Sequence, residues 1–465
     1  MQRPPFLSLA AKFADPVPPA TFPQAVLRWR NQRWAGAVGL GGLTEAAWLD
    51  HFARFTPLPG NLPQPLAMRY HGHQFGTYNP DLGDGRGFLF AQLRDPAGRL
   101  LDLGTKGSGQ TPWSRAGDGR LTLKGGVREI LAATYLEALG VNTSKAFSLA
   151  ETGEALQRND EPSPARGSVL VRLSHSHVRF GTFQRCAYLE DRAAMADLVN
   201  YCVAEFHPSA EDPDMARKTC ALLEQVAIAT GKMIGQWMAA GFVHGVMNTD
   251  NFNITGETFD FGPWRFLAQS DPNFTAAYFD QNGLYRFGRQ PVQGAWALQQ
   301  LASALLLLAD AENLAAALVP YEAAYRDSFA AHTHALLGLA PLGDAAQDIG
   351  FLQAFYGWMT DSGAGWPQTF FDWFAGAASE RRAAASPQAA LYAHPSFEPV
   401  RAGLMARTPL RPERLTSPYF QRAAPVSLVI EEVESLWAPI AERDDWSAFD
   451  AKTAHLEEAR LAWAL

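Results

Sequence analysis

Cysteine is scarce in this sequence, and the positions of the few cysteines exclude two common roles. The 465 residues include only Cys186, Cys202 and Cys220, and no two of them have the CxxC spacing of a redox or zinc motif. A disulfide framework is therefore not expected, and a reducing compartment is the default for such a chain. We expect all three cysteines to be small buried side chains.

Long apolar runs and an excess of basic charge are also missing. No segment reaches the ~18 consecutive apolar residues that a membrane span needs. The most apolar run, residues 301–309, predicts a buried helix, and the first residues lack the pattern of a secretory signal. The formal net charge of -8 argues against a nucleic-acid-binding protein. Together these absences predict a cytoplasmic protein without membrane or nucleic-acid partners.

The composition that is present supports a folded chain of two or three compact units. Hydrophobic residues make up 47% and charged residues 18%, which is enough for a sizeable core. Residues 1–60 are rich in proline and aromatics, and we interpret them as an extended N-terminal extension with one short helix near residues 43–55. Residues 61–195 alternate short apolar runs with glycine-rich turns, whereas alanine and leucine dominate residues 196–465.

The local patterns predict an α+β protein. The segment GFLFAQLRDPAGRLLDLGTKG reads as two strands joined by a turn at residues 96–98, and GSVLVRLSH reads as a third strand. Between them, Val127, Ile130 and Leu131 begin an apolar face with helical spacing, and Gly140 stands where a helix would end. Helices are expected to prevail after residue 196, among them one over residues 217–240.

The strongest chemical signal is HGVMNTDNFNITGETFDFG, residues 244–262. It ends in the Asp-Phe-Gly triplet that begins at Asp260, and in protein kinases such an aspartate holds magnesium against the nucleotide phosphates. Asn251 follows His244 by seven positions, as the metal-binding asparagine of a kinase catalytic loop does. The triplet alone would also suit an ordinary strand-to-turn junction, but this context favours a metal-binding pair.

The same loop departs from the kinase pattern at the position of the catalytic base. Val246 stands there and cannot accept a proton, whereas Asp250 lies beside Asn251. Either the chain only binds nucleotide, or Asp250 is the base of a different reaction. Alternatively, Asp250 is a structural turn residue whose carboxylate caps neighbouring backbone amides.

Basic and glycine-rich segments upstream suit phosphate binding. Lys106 at the end of a predicted strand and Glu129 on the following helix have the arrangement of the kinase lysine–glutamate pair. The segment LGDGRG, residues 82–87, suits either a phosphate cradle or a hairpin turn. Arg172 and Arg179 offer planar donor forks for phosphate, although exposed strand-end arginines are the alternative.

Taken together, these segments resemble the selenoprotein O family. The likeness is carried by YHGHQFGTYNPDLGDGRG, TKGSGQTPWSRAGDGRLTLKGGVREILA, RLSHSHVRFGTF, GFVHGVMNTDNFNITGETFDFGP and YRFGRQPVQGAW, which are spread between about residues 68 and 296. The resemblance implies a bilobal, protein-kinase-like (pseudokinase) fold. Its strand-rich N-lobe would have one key helix and would span residues 61–195. Its mainly helical C-lobe would span residues 196–465 and hold the catalytic loop.

The family's activity is protein AMPylation, in which AMP moves from ATP to a Ser, Thr or Tyr hydroxyl of a protein and diphosphate leaves. ATP would bind in a flipped orientation, with Mg²⁺ or Mn²⁺ as cofactor. By motif, Asp250 would be the catalytic base, Asn251 and Asp260 the metal ligands, and Glu129 the partner of Lys106. The nucleotide-binding residues implied by the resemblance are Gly83, Gly85, Arg86, Lys106, Asp118, Gly119, Arg172, Arg179 and Asp260. A kinase-type phosphotransferase and a non-catalytic nucleotide-binding scaffold are the alternatives.

Overall fold

The computed structural model describes residues 3–465 as a mixed α+β protein whose longer strands all precede residue 175. The strands are β1 (Ala14–Pro16), β2 (Val26–Arg30), β3 (Leu66–Met68), β4 (Gly72–Gln74), β5 (Thr77–Asn79), β6 (Leu89–Arg94), β7 (Leu100–Lys106), β8 (Leu121–Thr122), β9 (Lys145–Leu156), β10 (Ala165–Ser174), β11 (Phe242–Val243) and β12 (Arg265–Phe266).

Helices make up most of the chain after β10. The α-helices are α1 (Ala10–Phe13), α2 (Gln32–Ala37), α3 (Glu45–Phe52), α4 (Leu123–Ala138), α5 (Phe180–Tyr188), α6 (Arg192–Glu205), α7 (Met215–Ala240), α8 (Gln290–Leu305), α9 (Ala311–Leu318), α10 (Pro320–Leu336), α11 (Ala345–Ser362), α12 (Trp366–Asp372), α13 (Glu380–Ala383), α14 (Ala389–Tyr392), α15 (Glu398–Met405), α16 (Ile430–Arg443) and α17 (Ser447–Trp463). Short 3-10 helices occupy Pro5–Ser8, Pro208–Ala210, Thr249–Asn251, Phe287–Arg289, Gly376–Ser379, Pro395–Phe397, Pro412–Thr416 and Tyr419–Gln421.

One antiparallel sheet of eight strands forms the centre of the strand-rich part. Its order is β1-β3-β6-β7-β10-β9-β2, and β8 pairs with β10. Both faces of the central strands are covered. Along β10, Leu170 packs into one apolar cluster, whereas Val169 and Val171 on the opposite face pack into a second one. This double burial explains why β7 and β10 read as nearly continuous apolar runs.

The strands and the helix that carry the candidate site residues agree with the secondary structure predicted from the sequence. The predicted strand pair is confirmed as β6 and β7, the third predicted strand as β10, and the predicted helix as α4. The Thr122 hydroxyl caps the start of α4 by accepting a hydrogen bond from the Gly125 amide, 3.2 Å away. Gly140 follows the end of the helix with a φ of 73°, the left-handed conformation expected of a helix-terminating glycine.

Residues 3–60 contain more regular structure than we predicted. The expected short helix is confirmed as α3, but the expected extended arm also supplies β1 and β2, the two outermost strands of the sheet. The rings of Phe6, Phe13 and Trp48 are fully buried. Single short strands such as these have too few residues to show a period-2 pattern, and their pairing partners lie far away in the sequence.

Two smaller expectations are corrected. The apolar run at residues 301–309 is helical only as far as Leu305, and turns follow. Cys186 and Cys202 are buried as predicted, but Cys220 is only half-buried. Across residues 3–465, none of the helices combines the length and the apolar character required to cross a membrane.

Replacing Trp48 with alanine should lower the free energy of unfolding by about 3–5 kcal/mol. The Trp48 ring stacks on Phe147 of β9 at 5.0 Å, and its indole N–H donates to Ser148 at 2.8 Å, so truncation leaves both a cavity and an unpaired hydroxyl. The exposed Asp50 on the same helix is the control, and Asp50→Ala should change stability by less than about 0.5 kcal/mol. Urea unfolding of the two variants measures both values. Wild-type stability in Trp48→Ala would mean that this segment is not part of the core.

Candidate active site

A cleft of about 700 Å³ lies between one end of the sheet and the segment that follows α7. Seven basic side chains and four carboxylates line it: Arg86, Lys106, Arg115, Arg120, Arg158, Arg172, Arg179, Asp84, Asp118, Asp250 and Asp260. The excess of cations in this cleft, inside a protein of net charge -8, makes it electrostatically suited to a polyanion.

Asp260 is the centre of the charge network in this cleft. Its Oδ1 lies 3.2 Å from Lys106 Nζ and accepts a hydrogen bond from Arg172 Nη1 at 3.1 Å. Its Oδ2 accepts from Arg179 Nη1 at 2.7 Å. Burial by itself would raise the pKa of this carboxyl, but the three cations hold it well below its usual range. Asp260 is therefore a carboxylate with both oxygens facing positive charge.

The backbone at Asp260 is also unusual. Its φ is 60°, in the left-handed region that costs a non-glycine residue on the order of 1 kcal/mol. Aspartate is one of the residues that tolerates this conformation best. The turn starts the Asp-Phe-Gly triplet and directs the carboxylate into the cleft, while Phe261 is buried in the main apolar cluster.

Lys106 and Glu129 form a buried ion pair, so the structure brings the two predicted partners together. Lys106 is the last residue of β7, and Glu129 is one of the buried residues of α4. Only 7% and 5% of the two side chains are exposed. A carboxylate at such a depth needs a cation, and the same ammonium also reaches Asp260.

Arg179 connects three parts of the site. Besides Asp260, its guanidinium donates to the backbone carbonyl of Asp250 at 2.9 Å and lies 3.3 Å from Asp84 Oδ1. The rings of Tyr70 and Phe259 stack on it at 4.5 and 4.8 Å. Desolvation would lower the pKa of Arg179, but the surrounding acidic groups raise it above its ordinary value, so this arginine is a fixed positive charge.

Asp84 is a member of the network that the sequence reasoning missed. Its Oδ2 accepts a hydrogen bond from the Met68 amide at 3.1 Å, and burial raises the pKa of its carboxyl. The available signal was its position as the carboxylate inside the LGDGRG segment, which we read only for its glycines and arginine. With Asp84 included, three carboxylates and three cations balance one another at the base of the cleft: Asp84, Glu129, Asp260, Lys106, Arg172 and Arg179.

The glycine-rich segments line the cleft but are packed closely against protein atoms. A Cβ on Gly83 would lie 2.4 Å from the Trp113 ring, and one on Gly119 would lie 2.3 Å from the Gly109 backbone. Gly119 also has a φ of 70°. Asp118 beside it pairs with Arg158 at 2.8 Å. Gly83 therefore leaves room for the Trp113 side chain, and Gly119 allows two backbone segments to approach each other along the cleft wall.

Arg86 and Arg115 are the two cleft cations that have no salt-bridge partner among residues 3–465. Both side chains are exposed in the cleft, and neither forms an ion pair or a side-chain hydrogen bond with any residue from 3 to 465. Arg86 lies in the predicted LGDGRG segment, but Arg115 was not predicted. Their charges are available to a ligand without breaking an existing pair.

Asp250, unlike Asp260, has a buried carboxylate oxygen that is not paired with a cation. Asp250 and Asn251 lie in the 3-10 turn Thr249–Asn251, and Asp250 is only 8% exposed. Its Oδ1 has no hydrogen-bond partner within the described part of the chain, and burial raises the pKa of the carboxyl to about 6. Gly72 makes room for it, because a Cβ there would lie 3.0 Å from Oδ1. This unpaired, buried oxygen at the cleft is a candidate proton acceptor.

The predicted metal ligands have suitable donor atoms. The Asn251 side-chain Nδ2 donates a hydrogen bond to the Val246 carbonyl at 3.0 Å. The side-chain oxygen of Asn251 is then free to ligate a cation. Together with the carboxylate of Asp260 this makes a hard oxygen set. Magnesium is commonly held by one or two carboxylates plus substrate phosphates, so these residues fit it without further protein ligands. Accordingly, residues 3–465 contain no cluster of three or more His, Cys, Asp or Glu side chains with metal-site geometry.

The structure places all but two of the predicted site residues directly on the cleft. Those on the wall are Gly83, Gly85, Arg86, Lys106, Asp118, Gly119, Arg172, Arg179, Asp250 and Asp260. Glu129 reaches the site through Lys106, and Asn251 is adjacent to Asp250. The same wall includes four further residues that were not predicted: Tyr70, Trp113, Arg120 and Arg158.

Comparison with known proteins gives one family. A family model described as protein adenylyltransferase SelO matches residues 2–457. Curated proteins named protein nucleotidyltransferase YdiU are similar over large parts of the chain. The one from Synechocystis is 50% identical over 325 residues, which cover 68% of this chain and 66% of that protein. The one from Trichodesmium erythraeum is 40% identical over 456 residues, which cover 95% of both chains. The one from Vibrio cholerae is 42% identical over 340 residues, 72% of this chain and 67% of its own.

Proposed function

This chain belongs to the SelO family of protein adenylyltransferases, and we propose that it transfers AMP from ATP to a Ser, Thr or Tyr hydroxyl of another protein and releases diphosphate. The observation that supports this most directly is the cleft itself. It combines a carboxylate held by three cations, two further cations without partners, and one buried carboxylate oxygen that accepts no hydrogen bond from the described residues.

We propose that the fold is bilobal and kinase-like, with residues 61–195 and 196–465 as the two lobes. The sheet together with α4 would be the first lobe, and the helices after β10 the second. The Lys106–Glu129 pair between strand and helix, and the Asp-Phe-Gly turn at Asp260, support this assignment.

Lys106, Arg172 and Arg179 would bind the phosphates, since phosphoryl and nucleotidyl transfer depend on positioning and on charge neutralisation. In the structure all three cations are held by Asp260. When they turn to phosphate oxygens, the oxygens of Asp260 become available, and Asp260 with Asn251 would hold Mg²⁺ or Mn²⁺. The metal would neutralise phosphate charge. Phosphate binding and metal binding are therefore coupled through one carboxylate.

Asp250 would act as the base. It would take the proton of the acceptor hydroxyl while the hydroxyl oxygen attacks the α-phosphorus of ATP. The bond between the α-phosphorus and the bridging oxygen breaks, and diphosphate leaves with the electron pair. Val246, at the position of the kinase base, is partly buried and has no acceptor atom in its side chain. This difference favours transfer to the α-phosphorus, with ATP flipped relative to a kinase, over γ-phosphoryl transfer.

The identity of the transferred group tests the proposal. The protein is incubated with Mg²⁺ or Mn²⁺ and a protein acceptor, in parallel with α-labelled and γ-labelled ATP, and the acceptor is analysed by intact mass. We expect label only from the α-position and a mass increase of one AMP group. Label from the γ-position would show a kinase, and ATP binding without any label on protein would show a nucleotide-binding scaffold.

Lys106 and Glu129 should behave as one unit in catalysis. Lys106→Ala should lower the rate of AMP transfer by about 10²-fold or more, because one phosphate-binding cation is lost. Glu129→Ala should lower it less, because Asp260 still holds Lys106 at 3.2 Å. The double variant should lose less than the product of the two effects, with a coupling of roughly 0.5–3 kcal/mol.

The exposed pair Lys12–Asp197, at 2.6 Å, is the matched control for this cycle. Its alanine variants should change neither the rate nor the coupling, because surface pairs contribute about 0–1 kcal/mol and these residues do not line the cleft. Strictly multiplicative losses at residues 106 and 129 would show that the two do not act together.

A further inference from the structure

A second cavity of about 550 Å³ adjoins the nucleotide cleft. The two cavities share the wall residues Arg86, Lys106, Arg120 and Arg158. Beyond this shared wall, the second cavity extends along the first turns of α4 and the segment after Asp260. Beyond the shared wall, none of the residues that line the second cavity is one of the predicted nucleotide-binding residues.

Two arginines in the second cavity lack counterions. Neither Arg128 nor Arg265 forms a salt bridge with any carboxylate in residues 3–465, and both guanidinium groups donate only to backbone carbonyls. Burial and the charge of Arg265 lower the pKa of Arg128 to about 10. The nearby Glu434 is paired with Lys124 at 2.7 Å. An incoming anion would relieve the repulsion between the two arginines.

The rim of this cavity is aromatic and exposed. Tyr278 is 82% exposed and Phe279 is 47% exposed, although large apolar side chains are usually covered. The Phe279 ring packs against Phe75 at 5.8 Å, and the Phe75 amide donates to Asn248 Oδ1 at 3.2 Å. Asn248 stands two residues before Asp250. The aromatic rim is thus linked, through Phe75 and Asn248, to the turn that carries the candidate base.

We propose that the second cavity is the acceptor groove, and that it holds an extended segment of the protein substrate with an acidic side chain near the acceptor hydroxyl. The acidic side chain would pair with Arg128 and Arg265, and a neighbouring residue would pack on Tyr278 and Phe279. Charge complementarity favours this occupant, because Arg128 and Arg265 form no salt bridge within residues 3–465 and can pair with an acidic side chain without breaking an existing ion pair. The inference takes its acceptor from the proposed AMP transfer.

Peptide binding tests the groove without depending on AMP transfer. The probes are a short fluorescent peptide with one serine between glutamates and its counterpart with lysines. Fluorescence anisotropy is measured with the full chain, with and without a non-hydrolysable ATP analogue. We expect the acidic peptide to bind and the lysine peptide to bind at least tenfold more weakly. Arg265→Ala should weaken binding of the acidic peptide by about 10- to 100-fold, because a charged hydrogen bond is lost.

Matched variants separate the groove from general charge effects. Arg326→Ala removes an exposed arginine that lies outside both cavities and should leave binding unchanged. Tyr278→Ala should weaken binding by about 3- to 10-fold through lost packing alone. Equal binding of the two peptides, no binding of the acidic peptide, or wild-type binding by a folded Arg265→Ala protein would overturn the groove.

The outcomes also distinguish the groove from the proposed function. If the wild-type chain binds the acidic peptide as expected but transfers no AMP from α-labelled ATP to protein, the groove stands and the proposed function fails. If Arg265→Ala transfers AMP to protein acceptors with an unchanged acceptor KM, the function stands and the groove fails.

Discussion

Replacing Asp260 with alanine is expected to abolish AMP transfer, with a loss of more than about 10³-fold. Asp260 faces Lys106, Arg172 and Arg179 in the structure, and its carboxylate is the charged oxygen donor proposed for the metal. Truncation removes that donor and also releases the three cations from their shared anchor. Nucleotide would then bind without the geometry that transfer requires. Rates of AMP incorporation at saturating ATP and Mg²⁺ measure this effect.

The same substitution should also affect folding, because it leaves three cations around an uncompensated site. Removing one partner from a buried charge network costs roughly 3–5 kcal/mol. Asp260→Asn retains hydrogen-bond acceptance and is the variant to use if the alanine protein does not fold. Asp361 is exposed and does not line the cleft, so Asp361→Ala is the control and should leave rate and stability unchanged. A folded Asp260→Asn protein with full activity would contradict the metal assignment.

The fold was predictable where the sequence carries a local signal. The β6–β7 hairpin has apolar runs on both sides of a Pro–Gly turn, and α4 has a single apolar face. The strand β9 (Lys145–Leu156) was missed because its residues AFSLAETGEAL mix good helix formers with polar positions and show no alternation. Its identity as a strand is decided by its partners, β10 and β2, on either side.

The candidate site divides in the same way. Residues inside recognisable motifs, such as Lys106 and Asp250, could be proposed from the sequence, and both line the cleft. The network that joins them could not be proposed, because Arg179 lies 81 positions from Asp260 and 95 positions from Asp84 in the chain. No spacing rule covers such distances. Only the folded sheet and the turn at Asp260 bring these charges into hydrogen-bond range.

The exposed aromatic side chains and the partly buried arginines of the second cavity gave no signal in the sequence for the same reason. No motif or periodic pattern in the sequence singles out Tyr278, Phe279 or Arg128. Their significance comes from exposure and from missing partners, which are properties of the folded chain. Sequence motifs identify residues by their chemical type and spacing. The structure is needed to identify exposed aromatic rings and arginines that have no salt-bridge partner.

Asp250→Asn should lower turnover by roughly 10²–10⁴-fold while leaving ATP affinity nearly unchanged. The carboxylate Oδ1 lies at the cleft with no hydrogen-bond partner in the described chain, and asparagine keeps its size but cannot take a proton. Arg179 bonds to the backbone carbonyl of Asp250, so the substitution should not disturb this contact. The exposed Asp81, which does not line the cleft, provides the control variant Asp81→Asn.

Measuring ATP binding and AMP transfer side by side for the Asp250→Asn protein distinguishes the possible roles of Asp250. Loss of transfer with intact ATP binding identifies the base. If ATP binding collapses together with transfer, Asp250 is a ligand of the metal or the nucleotide instead. If both survive, Asp250 only shapes the turn Thr249–Asn251. Val246→Asp restores a carboxylate at the kinase-base position, but it should not produce γ-phosphoryl transfer to protein. In the proposed flipped orientation of ATP the α-phosphorus would face the acceptor, so a carboxylate at residue 246 would have no γ-phosphate within reach.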